Sequence, residues 1–448
     1  LNAFEHYRVP LGPESLRVQV LIERGSGANP PPIVLTHGWP GSIIELIELI
    51  ATSFLRADAI HNNFARFAMN ANATSDDKRL GLPTKQQTRN LEGMRAILQP
   101  WLQGHIDGIE QLQINSIQLP KGAGLANETV MLEAQWERNG ETQSGGYVVR
   151  IETPDPLFPG TTAERQYRMY AALADAPGVP VPRVLGFEEN RSLLGAPFFV
   201  MEKIEGRVPA DDPPFHHTGW VTELSTAERD RMWRDAIRAM AALHAVDADK
   251  FAFLNPTGVK DGLRATLDYY IDEFDRPVNE AHPILDTARE WLLRNYPGNY
   301  GLELAWGDAR VANMIFEEGR CRAVLDWDMV SLAGPETDLA WWCITAQTNT
   351  HSMGIKPLPG FGTAREMLAL WQQHTGREAR DFEWHLVYAA YRLGIIMRRL
   401  ARLLKKNNLL PPGSESIENN SNGVQYLTTL LNLTPIAPVT MPWLGLDA

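Results

Sequence analysis

The stretch LAWGDARVANMIFEEGRCRAVLDWD, residues 304–328, holds the side chains whose types and spacing could do chemistry. Asp308 and Asn313 form a D-x-x-x-x-N pattern, and two short apolar strands then flank a Glu318-Gly319 turn. A hairpin of that length returns Asp326 beside the loop that carries Asp308 and Asn313. Oxygen ligands without His or Cys suit a hard cation such as Mg²⁺, which favours carboxylate, amide and phosphate oxygens. Phosphoryl transfer needs such a cation and a carboxylate able to orient an attacking hydroxyl and take its proton. Taken singly, each Asp reads as a cap or a surface residue. The combined spacing points to a metal site.

Other polar and aromatic features read more plainly. His216 and His217, in DDPPFHHTGW, have no third ligand nearby and suit a solvated loop, and His244 in AALHAV suits a packed helix. Trp341 and Trp342 read as core. VLTHGWPGS, residues 34–42, looks like a buried strand delivering a loop that could face an oxyanion. No G-x-S-x-G or equivalent Asp elbow follows it, so His37 and Trp39 read as structural remnants of an incomplete hydrolase half-site.

The elements that must position the constellation come in two textures. Residues 4–24 read as two short strands around a Gly-Pro turn, PIVLTHG as a third strand, and SIIELIELIATSFL as a helix. Residues 53–84 are polar, rich in Asn and Ala, and suit a linker. From residue 85, a helix in TRNLEGMRAILQPWL precedes strands in IEQLQINSIQL, ETVMLEAQWE, GYVVRIE, PRVLGFEE and PFFVMEKIEG, with an Asn139-Gly140 turn and an inserted helix, AERQYRMYAALAD. Beyond Gly206 helical segments take over: 226–246, 263–274, 283–296, 363–374 and 382–406. A small antiparallel β lobe followed by a helical lobe is α+β architecture.

Composition narrows the function further. The chain of 448 residues is long enough for two or three units, and 44% hydrophobic with 21% charged residues is a globular balance. A net charge of −12 argues against a nucleic-acid partner. Two cysteines leave no disulfide framework, which fits a reducing cytoplasm. No apolar run reaches about 18 residues, so no membrane span is expected. The basic end of IIMRRLARLLKK reads as the solvated end of a helix rather than a membrane-surface segment.

The text WGDARVANMIF…AVLDWDMVSLAGPETDLAWW resembles the aminoglycoside phosphotransferase (APH)/choline kinase family, within it the phosphotransferase domains fused to acyl-CoA dehydrogenases. The resemblance covers residues 90–440 and implies a protein kinase-like two-lobed fold. It implies ATP (or GTP) and Mg²⁺ as cofactors and a small-molecule hydroxyl as acceptor. Asp308 would be the base, Asn313 and Asp326 the metal ligands, and Arg310 a stabiliser of transferring charge. Asp338 would brace the loop and Asp328 stand as an outer acid. In the small lobe, KGAGLANETV with Gly124, Asn127 and Thr129 would cover the phosphates. Arg150 would pair with phosphate and with Glu164, and Met201 and Glu202 would form the adenine hinge. Trp306 departs from the His that usually opens the family's His-Gly-Asp motif.

Residues 1–52 resemble the N-terminal part of epoxide hydrolases of the α/β-hydrolase fold. The expected order is therefore this fragment, a 53–84 linker, an N-lobe over 85–205 and a helical C-lobe over 206–448. Met69 reads as a credible start for the kinase-like unit, which leaves residues 1–68 open as a functional domain or as a fusion or start-site artefact. A non-catalytic nucleotide-binding module and an incomplete epoxide hydrolase are the rival readings. The acceptor and the oligomeric state stay open.

Overall fold

The computed structural model describes residues 5–11, 16–22, 90–119, 127–154, 156–298, 300–411, 413–414 and 416–448. His37, Trp39, the 53–84 linker, Met69 and Gly124 lie outside these described residues. Strands β1 (Glu5–Leu11) and β2 (Leu16–Ile22) pair antiparallel, with Glu5 opposite Ile22 and Leu11 opposite Leu16, as the two strands around Gly12-Pro13 predict. They belong to a unit separate from the one that follows.

The small lobe opens with α1 (Leu91–His105), capped by Asn90, whose side chain accepts from Gly93 N at 3.1 Å. Then come β3 (Glu110–Gln118), β4 (Asn127–Arg138), β5 (Glu141–Glu152), α2 (Ala163–Leu173), β6 (Val184–Glu188) and β7 (Phe198–Glu202). The strands form one antiparallel sheet in the order β3-β4-β5-β7-β6. Between β4 and β5, Asn139 and Gly140 both take positive φ, 53° and 78°, as a tight hairpin turn requires. Side chains alternate across the strands. Ile114, Val130, Leu132, Val149, Phe198 and Val200 face α1 in one core cluster, whereas Phe199 and Met201 join α2 and the helical lobe in a second. One sheet thus seals its own lobe and docks onto the other.

The helical lobe comprises α3 (Thr226–His244), α4 (Gly262–Tyr270), α5 (Pro283–Arg294), the hairpin β8 (Met314–Glu317) and β9 (Arg320–Val324), α6 (Pro335–Thr348), α7 (Ala364–Thr375), α8 (Phe382–Lys406) and α9 (Asn422–Leu430). Capping boxes start α3 (Ser225 with Glu228) and α7 (Thr363 with Glu366). The expected helix over 263–274 is α4 continued by a π turn, Ile271–Asp275. Helix α6 carries no amphipathic signal in the sequence because it is enclosed on every side. Every residue from Pro335 to Ile344 is buried.

No helix among the described residues is long and apolar enough to cross a membrane. Helices α8 and α9 approach closely where Gly394 meets Gly423. A Cβ on Gly423 would stand 2.3 Å from Gly394 N and 2.5 Å from Ala390 O, both backbone atoms that cannot give way. Gly423→Ala is therefore expected to cost about 1–3 kcal/mol by forcing these helices apart. Thermal unfolding should show a midpoint lower by a few degrees, and an unchanged midpoint would contradict the packing described.

Candidate active site

Asp308 sits in the loop before β8 and is held by three partners. Its Oδ1 accepts from Trp341 Nε1 at 2.7 Å, and its Oδ2 accepts from Arg310 Nε at 2.9 Å and Asn313 Nδ2 at 2.7 Å. Burial alone would push the Asp308 carboxyl up. The Arg310 guanidinium and the hydrogen bonds from Trp341, Arg310 and Asn313 outweigh that effect and hold it below the ordinary carboxylate value. Asn313 Nδ2 also donates to the Asp308 carbonyl at 3.0 Å. Both of its partners are acceptors only, which fixes the amide orientation and leaves Oδ1 for another ligand.

The backbone of this loop is tied down by Asp338, fully buried on α6. Its carboxylate accepts from Trp306 N at 2.6 Å, Gly307 N at 2.7 Å and His244 Nε2 at 2.9 Å. Trp371 Nε1 donates to His244 Nδ1 at 2.9 Å, so the imidazole carries its proton on Nε2 towards Asp338. His244 is thus packed, as its sequence context predicts, and is also the link between α7 and the loop. Gly307 has φ 96°, and a Cβ there would lie 2.0 Å from Met329 O, so this position has room only for glycine. Trp306 replaces the usual His and ties the same loop forward, with Nε1 donating to the carbonyls of Leu325 at 2.8 Å and Asp326 at 3.1 Å.

The β8–β9 hairpin returns the chain as its spacing predicts, through Glu318 and Gly319 at φ 50° and 74°. The strand ends at Val324 and not at Asp326, which adopts a left-handed φ of 63°. This backbone turn, which Asp tolerates better than most side chains, breaks the strand just before the acidic pair. The Asp326 carboxyl is raised by burial and by the neighbouring Asp308 charge, although Arg150 and Arg310 pull it down. Asp328, buried, is pushed up to about 8 by burial and by Asp326. Two carboxyls raised by burial and by the like charges beside them are a setting that an oxygen-seeking cation would relieve. Asp326, Asp328 and the free Asn313 Oδ1 fit the donor preference of Mg²⁺. Among the described residues no group of three or more His, Cys, Asp or Glu side chains forms a full cage. That too fits an ion held by one or two carboxylates together with substrate phosphates.

The small-lobe residues are only partly brought together. Arg150 on β5 donates from Nη1 to Thr129 Oγ1 on β4 at 2.7 Å, and its charge acts on Asp326 and Asp328. Glu164 does not meet it. Glu164 is more than half exposed and stands 3.8 Å from Arg168, one turn along α2. Gln166 of α2 reaches the site instead, with its Nε2 donating to Asp328 Oδ1. A two-residue step rotates a helical side chain by about 200°, so Glu164 and Gln166 cannot share a face. At the hinge, Glu202 N donates to Arg183 O at 2.8 Å and Lys203 N to Gly146 O at 2.9 Å, while the Glu202 carboxylate is taken by Arg183 at 2.7 Å. Asn127 lies at the start of β4.

Arg310 has a different setting from the one its position predicts. Its Nε is bound to Asp308, and its Nη1 donates to Asp211, which also accepts from Asn349 Nδ2 at 3.0 Å. Two carboxylates raise its basicity despite burial, so it stays a fixed cation. Arg310 and Asp211 line a cavity of about 350 Å³ together with Phe215, Trp233, Trp342 and Phe361 and with polar residues such as Thr350 and Lys356. Trp341, Asp211 and Gln166 were not singled out as site residues by the sequence. The doublet Trp341-Trp342 was the available signal, and it reads as core because both rings are indeed buried.

The fold is that of a kinase-like phosphotransferase. A crystal structure of a putative aminoglycoside phosphotransferase from Ralstonia eutropha superposes with a TM-score of 0.56 at 24% identity, over 74% of this chain and 98% of that one. The sequence pattern of the phosphotransferase enzyme family matches residues 124–382, more than half of the chain. The chain therefore belongs to the phosphotransferase enzyme family, which transfers phosphoryl groups to an alcohol acceptor.

Acyl-CoA dehydrogenase family member 11 of Rattus norvegicus is 28% identical over 314 residues, 67% of this chain and 39% of that protein. The chain thus spans about two fifths of that relative's length. At the other end, residues 1–46 match the epoxide hydrolase N-terminus pattern, and a putative epoxide hydrolase of Stigmatella aurantiaca is 48% identical over 50 residues, 11% of each protein.

Because Asp338 satisfies two consecutive loop amides and an imidazole in a dry site, Asp338→Asn removes an acceptor that nothing replaces. A loss of about 3 kcal/mol in unfolding free energy is expected from chemical denaturation. A loss under about 1 kcal/mol would mean that the loop does not depend on this carboxylate.

Proposed function

We propose that this chain transfers the γ-phosphoryl group of ATP or GTP to a hydroxyl of a small-molecule metabolite, with Asp308 as the base. The observation that carries this reading is the Asp308 carboxylate itself. It is held ionised by Trp341, Arg310 and Asn313 in one loop, with Asp326 returned beside that loop by the hairpin. Asp308 would accept the proton of the acceptor hydroxyl as its oxygen attacks phosphorus and the diphosphate leaves. Asn313, through Oδ1, and Asp326 would hold Mg²⁺, with Asp328 behind them. When bound, the ion would screen the negative charge of the transferring phosphates.

The residues around this centre take roles that follow from their contacts. Arg150, fixed by Thr129, is placed to meet phosphate oxygens, and the 121–130 segment with Gly124 and Asn127 would cover them. Met201 and Glu202 lead into the adenine-reading hinge. Because the amides of Glu202 and Lys203 are already engaged, the reading edge begins after Lys203. Arg310 is bound to two carboxylates, so its part is to orient and ionise Asp308. Glu164 takes no part, and Gln166 orients Asp328 instead. Residues 85–205 thus form the nucleotide-side lobe and 206–448 the acceptor-side lobe.

The cavity beside Arg310 gives the acceptor its character. Its lining carries more apolar than polar surface, with the rings of Phe215, Trp233, Trp342 and Phe361 interspersed with polar side chains such as Asn349, Thr350, His351 and Lys356. An alcohol on a molecule with a substantial apolar body, such as a hydroxylated acyl compound, fits this lining better than a polycationic sugar. The named dehydrogenase relatives support the same class, since their own names specify an acyl substrate.

Asp308→Asn tests the assignment. Transfer from [γ-³²P]ATP to a panel of hydroxylated acyl compounds should fall about 10²- to 10⁴-fold in kcat. Nucleotide-induced stabilisation should persist, because Asp308 is not assigned to phosphate binding. A variant with undiminished transfer would remove Asp308 from the chemistry. A wild-type chain that binds nucleotide and transfers to nothing would favour a non-catalytic binding module.

A further inference from the structure

Beneath the catalytic loop lies a buried cation that the proposed reaction does not use. Arg392 on α8 is 1% exposed, and its Nη2 donates to the carbonyl of Gly307 at 3.0 Å. The guanidinium lies over the rings of Trp341, Tyr270 and Tyr388 at 4.7, 4.9 and 5.5 Å. Its Nε meets no hydrogen-bond acceptor among the described residues. Desolvating an arginine against three aromatic faces and one carbonyl is poor economy for stability alone, because a well-packed apolar side chain would serve as well or better.

Two of its contacts converge on one atom group. Gly307 immediately precedes Asp308, and the residue is gripped on both sides, its N–H by Asp338 and its C=O, in the peptide shared with Asp308, by Arg392. Trp341 donates to Asp308 Oδ1, and the face of the same indole carries the Arg392 charge. A ring held by a cation on its face cannot swing its N–H away from the carboxylate without losing that contact.

We infer that Arg392 is a positioning residue for Asp308, holding the carboxylate in place by two routes, through the Gly307 carbonyl and through the Trp341 ring. It touches neither substrate nor nucleotide. The inference rests on the reading of Asp308 as the base, and it adds a residue on α8, 84 positions further along the chain than that base, to the machinery that aims it. It also explains why an arginine stands inside the most buried stretch of α8, where Leu386, Val387, Tyr388, Ala389, Ala390 and Tyr391 surround it in sequence.

The test uses Arg392→Met, which keeps an unbranched side chain of similar reach and removes the charge, and Arg392→Lys, which keeps one donor. Mg-ATP hydrolysis without acceptor is one readout, and hydrogen exchange of the 304–310 segment is the other. For Arg392→Met, kcat should fall roughly 100-fold, the effect of a small misplacement of a reacting group, with KM for ATP changed less than about twofold. Arg392→Lys should recover part of the loss. In an Asp308→Asn background Arg392→Met should make no further difference, since the residue acts through that carboxylate.

Exchange should quicken at Gly307 and Asp308 and stay unchanged along α8. Equal losses in both backgrounds, or faster exchange spread along α8 with none confined to the loop, would overturn the inference. If the wild-type chain hydrolyses no ATP without acceptor, the exchange pattern alone decides the role of Arg392, and the functional reading is judged separately by transfer to the acceptor panel.

Discussion

The site depends on one buried carboxylate that never meets a substrate. Asp338 accepts the amide protons of Trp306 and Gly307 and the imidazole proton of His244, and so bends the backbone into the path that presents Asp308. Two successive N–H groups pointing at one carboxylate are unavailable in a helix or a strand, where they alternate or align with the axis. The acceptor that α6 places beneath the loop satisfies both amides at once. Gly307 is the corollary. The same bend demands a positive φ and brings the Met329 carbonyl to where a side chain would stand.

From that anchor the electrostatics divide along the loop. Asp308, ringed by Arg310, Trp341 and Asn313, is kept as an anion, while Asp326 and Asp328 are pushed towards protonation by burial and by the carboxylates beside them. Carboxyls with opposed tendencies in one loop suit opposed tasks, one taking a proton and the others waiting for a cation. Arg150 reaches this group from the sheet of the small lobe and Gln166 from α2, so the lobes meet chemically as well as through the shared apolar face of Phe199 and Met201. Trp306 completes the arrangement by joining the carbonyls of Leu325 and Asp326 to the Asp308 loop.

Much of this was legible before any coordinates. The five strands announced themselves through β-branched alternation and the Asn139-Gly140 turn, and the Asp308, Asn313 and Asp326 spacing could be read as a loop and a returning hairpin. What could not be read has a common physical cause. Helix α6 is buried all round and lacks the polar stripe that periodicity detects, so Trp341 looked like core and its indole N–H went unassigned. Asp211 and Arg392 lie 99 and 85 residues away from their partners Arg310 and Gly307, and no local pattern encodes such meetings. Glu164 was taken from a pattern of kinases with a lysine on the sheet. Here Arg150 turns to Thr129, and the rotation of α2 offers Gln166 instead.

The central claim is that Asn313 and Asp326 hold a Mg-nucleotide beside the Asp308 base. Thermal unfolding of the purified chain with ATP or GTP, with and without Mg²⁺, beside Asp326→Ala, tests it most directly. A nucleotide at 100 times its dissociation constant adds roughly 2.7 kcal/mol of stability, a shift of several degrees. The account predicts a Mg²⁺-dependent rise that the variant loses. No rise with either nucleotide, or an equal rise in Asp326→Ala, would contradict it.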